Sequence, residues 1–418
     1  MHLDRATAEA LDDADELAGF RERFVGTDDD RLIYLDGNSL GRLPRETPAA
    51  VARVVEQQWG EGLVGSWSTW IGDATRVGDQ LAASVLGAGP GEVLVGDSTT
   101  VNLYKLLVAG AKARPGRDGL VCTADDFPTD RYVVSGVAAD RGMTVREIGA
   151  DIDAGLDPAV LAGALDDRVA VVVLSLVAYR SGALADLAAI TRLVHDAGAL
   201  VLWDLSHAVG AVPIQLSAAG ADLAVGCTYK YLNGGPGAPA FLFVRRDLQE
   251  QLRSPIQGWF GQRDQFAMGP VYEPADGIER FGVGTPNVLG TAAVEVGARL
   301  VAEAGVDRLA AKGRAMTDLI VGLGDAWLAP HGAVLASPRQ AAARGSHVTF
   351  AHPQAWQLTQ ALIERGVVPD FRTPDRVRLG PAPLYTRFVE VWDAMDRFRG
   401  LLEEGQLERY SAERSRVT

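Results

Sequence analysis

Ala199-Leu200-Val201-Leu202-Trp203-Asp204, then Ala221-Asp222-Leu223-Ala224-Val225, then Cys227-Thr228-Tyr229-Lys230-Tyr231-Leu232-Asn233-Gly234-Gly235-Pro236-Gly237 are the stretches on which the fold turns. Two short apolar runs each end at a polar residue. The first closes on Asp204, and the second leads to Lys230 and a glycine-rich turn. Runs of four to eight apolar residues without alternation read as strands buried on both faces. Ligands of open α/β sheets bind at the carboxyl ends of such strands. An aspartate and a lysine at successive strand ends are therefore candidate chemistry.

Working outward, the same texture repeats. Residues 93–95 lead through Asp97-Ser98-Thr99-Thr100 into a helical stretch over 101–113. Residues 119–122 and the β-branched run 169–176 read as strands, 187–197 as a helix, and 239–244 as a further strand. Strands alternating with helices predict a mostly parallel sheet covered on both faces. Before it, 5–24 reads as helix, and Leu32-Ile33-Tyr34-Leu35 as a strand entering the turn at Asp36-Gly37-Asn38. After about 290 come amphipathic helices over 291–304 and 306–328, short strands over 347–351 and 377–379, and a last helix over 388–404. The expected division is an N-terminal segment 1–45 packing with a small domain, a large α/β domain 46–290, and a small α+β domain 291–418.

Bulk properties narrow the function. The chain has 418 residues, 47% hydrophobic and 22% charged, with net charge −14. Such a charge disfavours general affinity for nucleic acid or an anionic membrane. The two cysteines, Cys122 and Cys227, are too few for a disulfide framework and lack metal-ligand spacing, so no metal is expected. Residues 1–20 are rich in Asp, Glu and Ala and lack signal-peptide character. The expected location is the cytoplasm.

An electron-sink cofactor needs a lysine amine to form an imine, a carboxylate to keep a pyridine nitrogen protonated, and a helix N-terminus for a phosphate. Lys230, Asp204 and the Thr99-Thr100 turn supply these three. Each has a plainer reading alone: a solvated lysine, a turn aspartate, an ordinary N-cap. Nicotinamide and nucleotide readings lack their motifs, since neither GxGxxG after the first strand nor a Walker loop is present.

Seven segments in order then resemble the kynureninases. They are Tyr34-Leu35-Asp36-Gly37-Asn38-Ser39-Leu40-Gly41, Asp97 to Leu103, Asp126-Phe127-Pro128-Thr129-Asp130, Trp203 to Ala208, Cys227 to Asn233, Gly258-Trp259-Phe260-Gly261, and Arg378-Leu379-Gly380-Pro381-Ala382-Pro383-Leu384-Tyr385. The resemblance implies fold type I of the pyridoxal-phosphate (PLP) enzymes, with a seven-stranded sheet in the large domain. It implies Lys230 as Schiff-base lysine and proton shuttle at Cα, Asp204 as partner of the pyridine nitrogen, and Tyr229 as catalytic and phosphate-binding. It implies Thr99, Thr100 and Trp259 on the phosphate, Phe127 against the ring, and Asp130 at its edge. Pro128, Thr129 and Ser175 are further implied contacts, and His207 is placed near the ring's phenolic oxygen and Asp204. Thr285 would reach the cofactor of a neighbouring subunit, making a homodimer with shared sites. Arg378 and Asn38 would bind the substrate, Arg378 by its α-carboxylate.

The implied reaction is hydrolysis of L-kynurenine, or its 3-hydroxy form, to the anthranilate and L-alanine. Two departures bear on the substrate: Gln262 stands where the family usually has His, and Ala178 where a polar residue is usual. Transamination, β-elimination and a desulfurase-like lyase reaction are the rivals. A desulfurase needs an exposed nucleophilic cysteine, which strand positions deny to Cys122 and Cys227. A non-catalytic binding protein is the third reading, and it would have no need of Lys230 and Asp204.

Overall fold

The computed structural model describes residues 4–29 and 31–414. The chain begins with helix Arg5–Asp13 and a 3-10 turn Ala18–Arg23, where one continuous helix was expected. It then forms a two-residue strand, β1 (Ile33–Tyr34). The large sheet follows: β2 (Val93–Val95), β3 (Gly119–Thr123), β4 (Thr144–Ile148), β5 (Val169–Ser175), β6 (Leu200–Asp204), β7 (Leu223–Gly226) and β8 (Phe241–Val244). Its order is β2-β8-β7-β6-β5-β3-β4. Neighbours from β4 to β7 are parallel, and β8 runs antiparallel to both β7 and β2. This is the mostly parallel seven-stranded sheet expected. Strand β4 was not foreseen, because its Thr144, Val145, Arg146 and Glu147 are exposed or half-buried at the sheet edge.

The apolar runs divide cleanly between the two faces. In β6, Val201 and Trp203 join one core cluster while Leu200 and Leu202 join the other. In β5, Val172 and Leu174 face one way, Val171 and Val173 the other. Successive side chains of a strand point to opposite faces, so a sheet covered on both needs such unbroken runs. Full burial of each such side chain contributes about 1.5–3 kcal/mol.

The C-terminal part contains a four-stranded antiparallel sheet: β9 (Val334–Leu335), β10 (Val348–Ala351), β12 (Asp370–Arg372) and β13 (Arg376–Leu379), in the order β12-β13-β10-β9. Strand β11 (Val367–Val368) pairs in parallel with β1. Ala8, Ile33 and Leu35 are buried in the same cluster as Phe350, Val377 and Phe398. Asp12 accepts from the Phe388 and Val389 amides at 2.6 and 2.9 Å, satisfying free N–H groups of helix Phe388–Glu404. Helix Val288–Ala304 buries Val294, Leu300 and Val301 with the large sheet, and the two cores meet between Leu309 and Met316.

Candidate active site

Polar side chains gather at the carboxyl ends of β5, β6 and β7, as the strand reading requires. Asp204 is the last residue of β6 and is buried. Its Oδ1 accepts from the Ser206 amide at 2.9 Å and from Ser206 Oγ at 2.6 Å. Ser206 Oγ in turn accepts from the Cys227 amide at 3.2 Å, tying the ends of β6 and β7 together. Asp130, in the first turn of helix Pro128–Arg141, is buried beside Asp204. Burial and the negative charges of Asp204 and Asp126 push its carboxyl well above the usual range.

Lys230 lies four residues beyond β7. Its Nζ sits 3.2 Å from both ring nitrogens of His207. Burial pulls the ammonium below its ordinary pKa, against the raising influence of Cys227 and Asp204. Burial and the charge of Lys230 hold His207 neutral. A desolvated lysine against a neutral imidazole is a ready amine nucleophile and base. His207 thus contacts Lys230, while Asp204 is bonded to Ser206. Tyr229 is half-buried, and burial and the neighbouring Cys227 thiol keep its hydroxyl protonated.

The glycine-rich turn after Lys230 has a packing role. Gly41 donates to the Tyr229 carbonyl at 2.8 Å, and a Cβ there would lie 2.3 Å from the Lys230 carbonyl. A Cβ on Gly234 would press within 3.0 Å of Thr228. The lysine loop thus approaches its own backbone closely at Gly234.

The phosphate-side residues are laid out on a helix start. Ser98 caps helix Thr99–Lys112, accepting from the Val101 amide at 3.3 Å, and Thr99 and Thr100 form its first turn. Asp97, at φ +52°, pairs with the buried Lys105 at 2.6 Å, and Lys105 also donates to the Phe281 carbonyl at 2.8 Å. Ser98, Asp97 and Lys105 were not singled out from sequence; a serine one residue before a helix was the available signal for Ser98. Phe127 precedes Pro128 and Thr129 at the start of its helix. It is 40% exposed, which excludes a core role, and meets Tyr179 edge-on at 5.2 Å. Ser175, at the end of β5, donates its amide to Asp126 at 3.3 Å.

Trp259 and Thr285 stand apart from this group. The Trp259 indole N–H is donated to the Gln265 carbonyl at 2.7 Å, so its expected donation to a phosphate is not made ready within this chain. Thr285 is exposed, on the wall of a cleft of about 810 Å³ that also includes Asp97, Phe260 and Phe266. Gln262 accepts from the Glu273 amide at 2.7 Å, pinning its own loop. Ala178 lines a cavity of about 50 Å³ with Asp126, Ser175 and Tyr179.

Arg378, on β13, is fully buried. It donates to the Tyr179 carbonyl at 2.5 Å and to Ser39 Oγ at 2.8 Å, and pairs with Asp370. The Asn38 side-chain oxygen, with its amide turned to suit its surroundings, accepts from Arg378 Nε at 2.8 Å. The β1 extension thus delivers Asn38 and Ser39 to an arginine of the C-terminal sheet. Asp370, Arg372 and Ser39 escaped the sequence reading. Asp370 and Arg372 alternate on one face of β12, and Asp370 stands opposite Arg378 in register. Charged residues at every second position of a short strand were the signal.

The residues present fit PLP. Asp130 Oδ2 is buried without a hydrogen-bond partner, beside Asp204 at the strand ends. Lys230, the aromatic face of Phe127 and the free amides at Thr99 and Thr100 complete the donor set. Among the described residues no His, Cys, Asp and Glu grouping suits a metal.

Fold and site together define a PLP-dependent enzyme of fold type I. Solved structures with this architecture include a cysteine desulfurase from Thermococcus onnurineus NA1, with TM-score 0.80 and 17% identity over 92% of this chain and 98% of that one. A variant of C-DES with glycine covalently linked to its PLP cofactor gives 0.81 and 19%, over 91% and 98%. Much greater sequence similarity lies elsewhere. The kynureninase of Burkholderia pseudomallei (strain K96243) is 44% identical over 407 residues, 96% of this chain and 95% of its own. That of Pseudomonas fluorescens is 43% identical over 402 residues, 94% of each. The kynureninase C-terminal domain model matches residues 309–398. The chain belongs to the kynureninase family.

Proposed function

We propose that this protein hydrolyses L-kynurenine, or its 3-hydroxy form, to the corresponding anthranilate and L-alanine. The observation that carries this reading is the 44% identity to kynureninases across 96% of the chain. PLP, when bound, supplies the electron sink that stabilises negative charge at Cα and lets the Cβ–Cγ bond break after water adds to the γ-carbonyl. The protein's own residues do the rest. Lys230 holds PLP and carries the proton at Cα, its lowered pKa leaving it free to accept. His207 stays uncharged beside it and leaves that proton with the amine. Asp204, braced by Ser206, faces the pyridine nitrogen. Thr99, Thr100 and Tyr229 hold the phosphate, Phe127, Pro128, Thr129 and Ser175 surround the ring, and Arg378 with Asn38 orients the α-carboxylate.

The same reading makes the protein a homodimer in which Thr285 serves the partner's site and Trp259 is a phosphate donor. Support comes from the exposed apolar Ile71, Phe266 and Met268 beside the open cleft. It retains the three-part division at 45 and 290, and a cytoplasmic location without nucleic-acid or membrane partners. A desulfurase-type reaction fits poorly: Cys122 is pushed up to about 12 by burial, and Cys227 is raised likewise. Purified protein with PLP and L-kynurenine is expected to generate anthranilate fluorescence. Absence of product from kynurenine and from 3-hydroxykynurenine, in protein showing the bound-cofactor absorbance, would sink the substrate assignment.

A further inference from the structure

The carboxylate end of the site holds two arginines. Arg378 has zero exposure, and its donors already go to Asp370, Ser39, the Tyr179 carbonyl and Asn38. Arg372 stands two residues from Asp370 on β12, with 30% of its side chain exposed. Its Nη2 meets Asp370 Oδ2 at 2.8 Å, the same oxygen that Arg378 engages. Its Nη2 also reaches Ser39 Oγ at 3.5 Å, its Nη1 makes only a 3.4 Å approach to the Phe371 carbonyl, and its Nε is buried without a partner.

One carboxylate oxygen serves two guanidiniums. The next acidic group, Asp36, is 3.9 Å from Arg378 and is not bonded to Arg372. A buried N–H left unbonded is costly, and a buried charge is ordinarily paired. Arg372 therefore presents an unfilled donor edge, and it shares Asp370 Oδ2 with the arginine expected to hold the substrate. A guanidinium with an open edge accommodates a planar carboxylate; one with its donors spent must first give some up.

We propose that Arg372 is a second substrate-binding arginine, which takes an oxygen of the amino acid's α-carboxylate on its open edge while Asp370 spaces it from Arg378. The inference rests on the reading of the site as an α-amino-acid site, but not on kynurenine as the substrate. Arg372 is then the arginine that meets the ligand first, and Arg378 anchors Asp370, Ser39 and Asn38 behind it.

The test uses the PLP-loaded enzyme and two ligands: L-kynurenine for turnover, and L-alanine for binding, read from the absorbance change of the bound cofactor. Arg372→Gln is expected to weaken alanine binding and raise KM by about tenfold or more, the loss of one charge-assisted contact. Affinity for PLP should stay unchanged, and kcat should change less than KM. Arg372→Lys should restore part of the affinity, since it keeps the charge but not the flat edge. Unchanged alanine binding and KM in Arg372→Gln would overturn the proposal. So would a loss confined to PLP affinity or melting temperature, which marks Arg372 as a structural partner of Asp370. Should Arg372→Gln fail to fold, Arg372→Lys decides: alanine affinity equal to that of the parent overturns the proposal, and a reduced one upholds it. A protein that forms no anthranilate but binds alanine in an Arg372-dependent way would refute the substrate assignment and leave this inference standing.

Discussion

The strand-end wall and the loop wall of this site are made from different material. Asp204, His207 and Lys230 are held by short segments leaving buried parallel strands, and their polar atoms are bonded to one another or to Ser206, which in turn ties to Cys227. Trp259, Gln262 and Thr285 lie on a loop that bonds mainly to itself and faces an open cleft. The first wall is complete within one chain. The second is finished, on the reading given above, by a partner. Precision at the reacting atoms comes from the sheet, and adaptability in the surroundings from the loop.

Substitutions can break or sharpen this contrast, and the largest effects belong on the strand-end wall. Lys230→Ala should reduce turnover by roughly 10⁴-fold or more and abolish the imine absorbance, since both nucleophile and base are lost. Retention of that band would remove Lys230 from its role. Asp204→Ala is expected to cost roughly 10²–10³-fold in kcat, through loss of the group facing developing charge; stopped-flow and steady-state rates would measure it. Lys105→Met tests the joint between the walls, because Lys105 links Asp97 to the Phe281 carbonyl. It should weaken PLP binding about tenfold, seen in cofactor titration, with the large sheet still folded by circular dichroism.

A smaller, pH-linked effect separates the carboxylate end from both walls. Burial and Asp370 raise Asp36 to about 6, whereas its unfolded value is about 3.9. The folded state therefore favours the protonated form. Its contribution to stability is full below about pH 4 and is lost as pH rises through 6. Asp36→Asn should abolish that loss. Its melting temperature relative to the parent should be higher at pH 8 than at pH 5, and a constant difference would contradict the direction given for Asp36. The smallest effect is expected on the loop wall. Gln262→Ala removes one hydrogen bond to Glu273 and should cost about 1 kcal/mol or less, with KM for kynurenine barely changed in steady-state assays. A large change in KM would show that Gln262 reads the substrate.

The strand-end wall was legible in the sequence because its logic is local. An apolar run ends, a polar residue follows, and the parallel arrangement brings successive run ends to one edge. Asp204 and Lys230 could be read that way, and the helix start at Thr99 followed from its own cap. What escaped depends on pairing across distance. Asp370 and Arg372 acquire meaning only when β12 lies against β13 and brings Asp370 opposite Arg378. Lys105 reads as one polar residue on a largely apolar helix until Phe281 arrives from far along the chain. Strand β4 was missed because a half-exposed edge lacks an unbroken apolar run.

The pairing of β1 with β11 also has a consequence for how the protein is made. Ile33 and Val367 are register partners separated by more than three hundred residues. During synthesis at about 5–20 residues per second, the first strand waits on the order of tens of seconds for its mate. Asn38 and Ser39 wait with it, so the substrate-binding end of the pocket is assembled only as the last part of the chain leaves the ribosome. Throughout that interval Ile33 and Leu35 are apolar residues without their core partners.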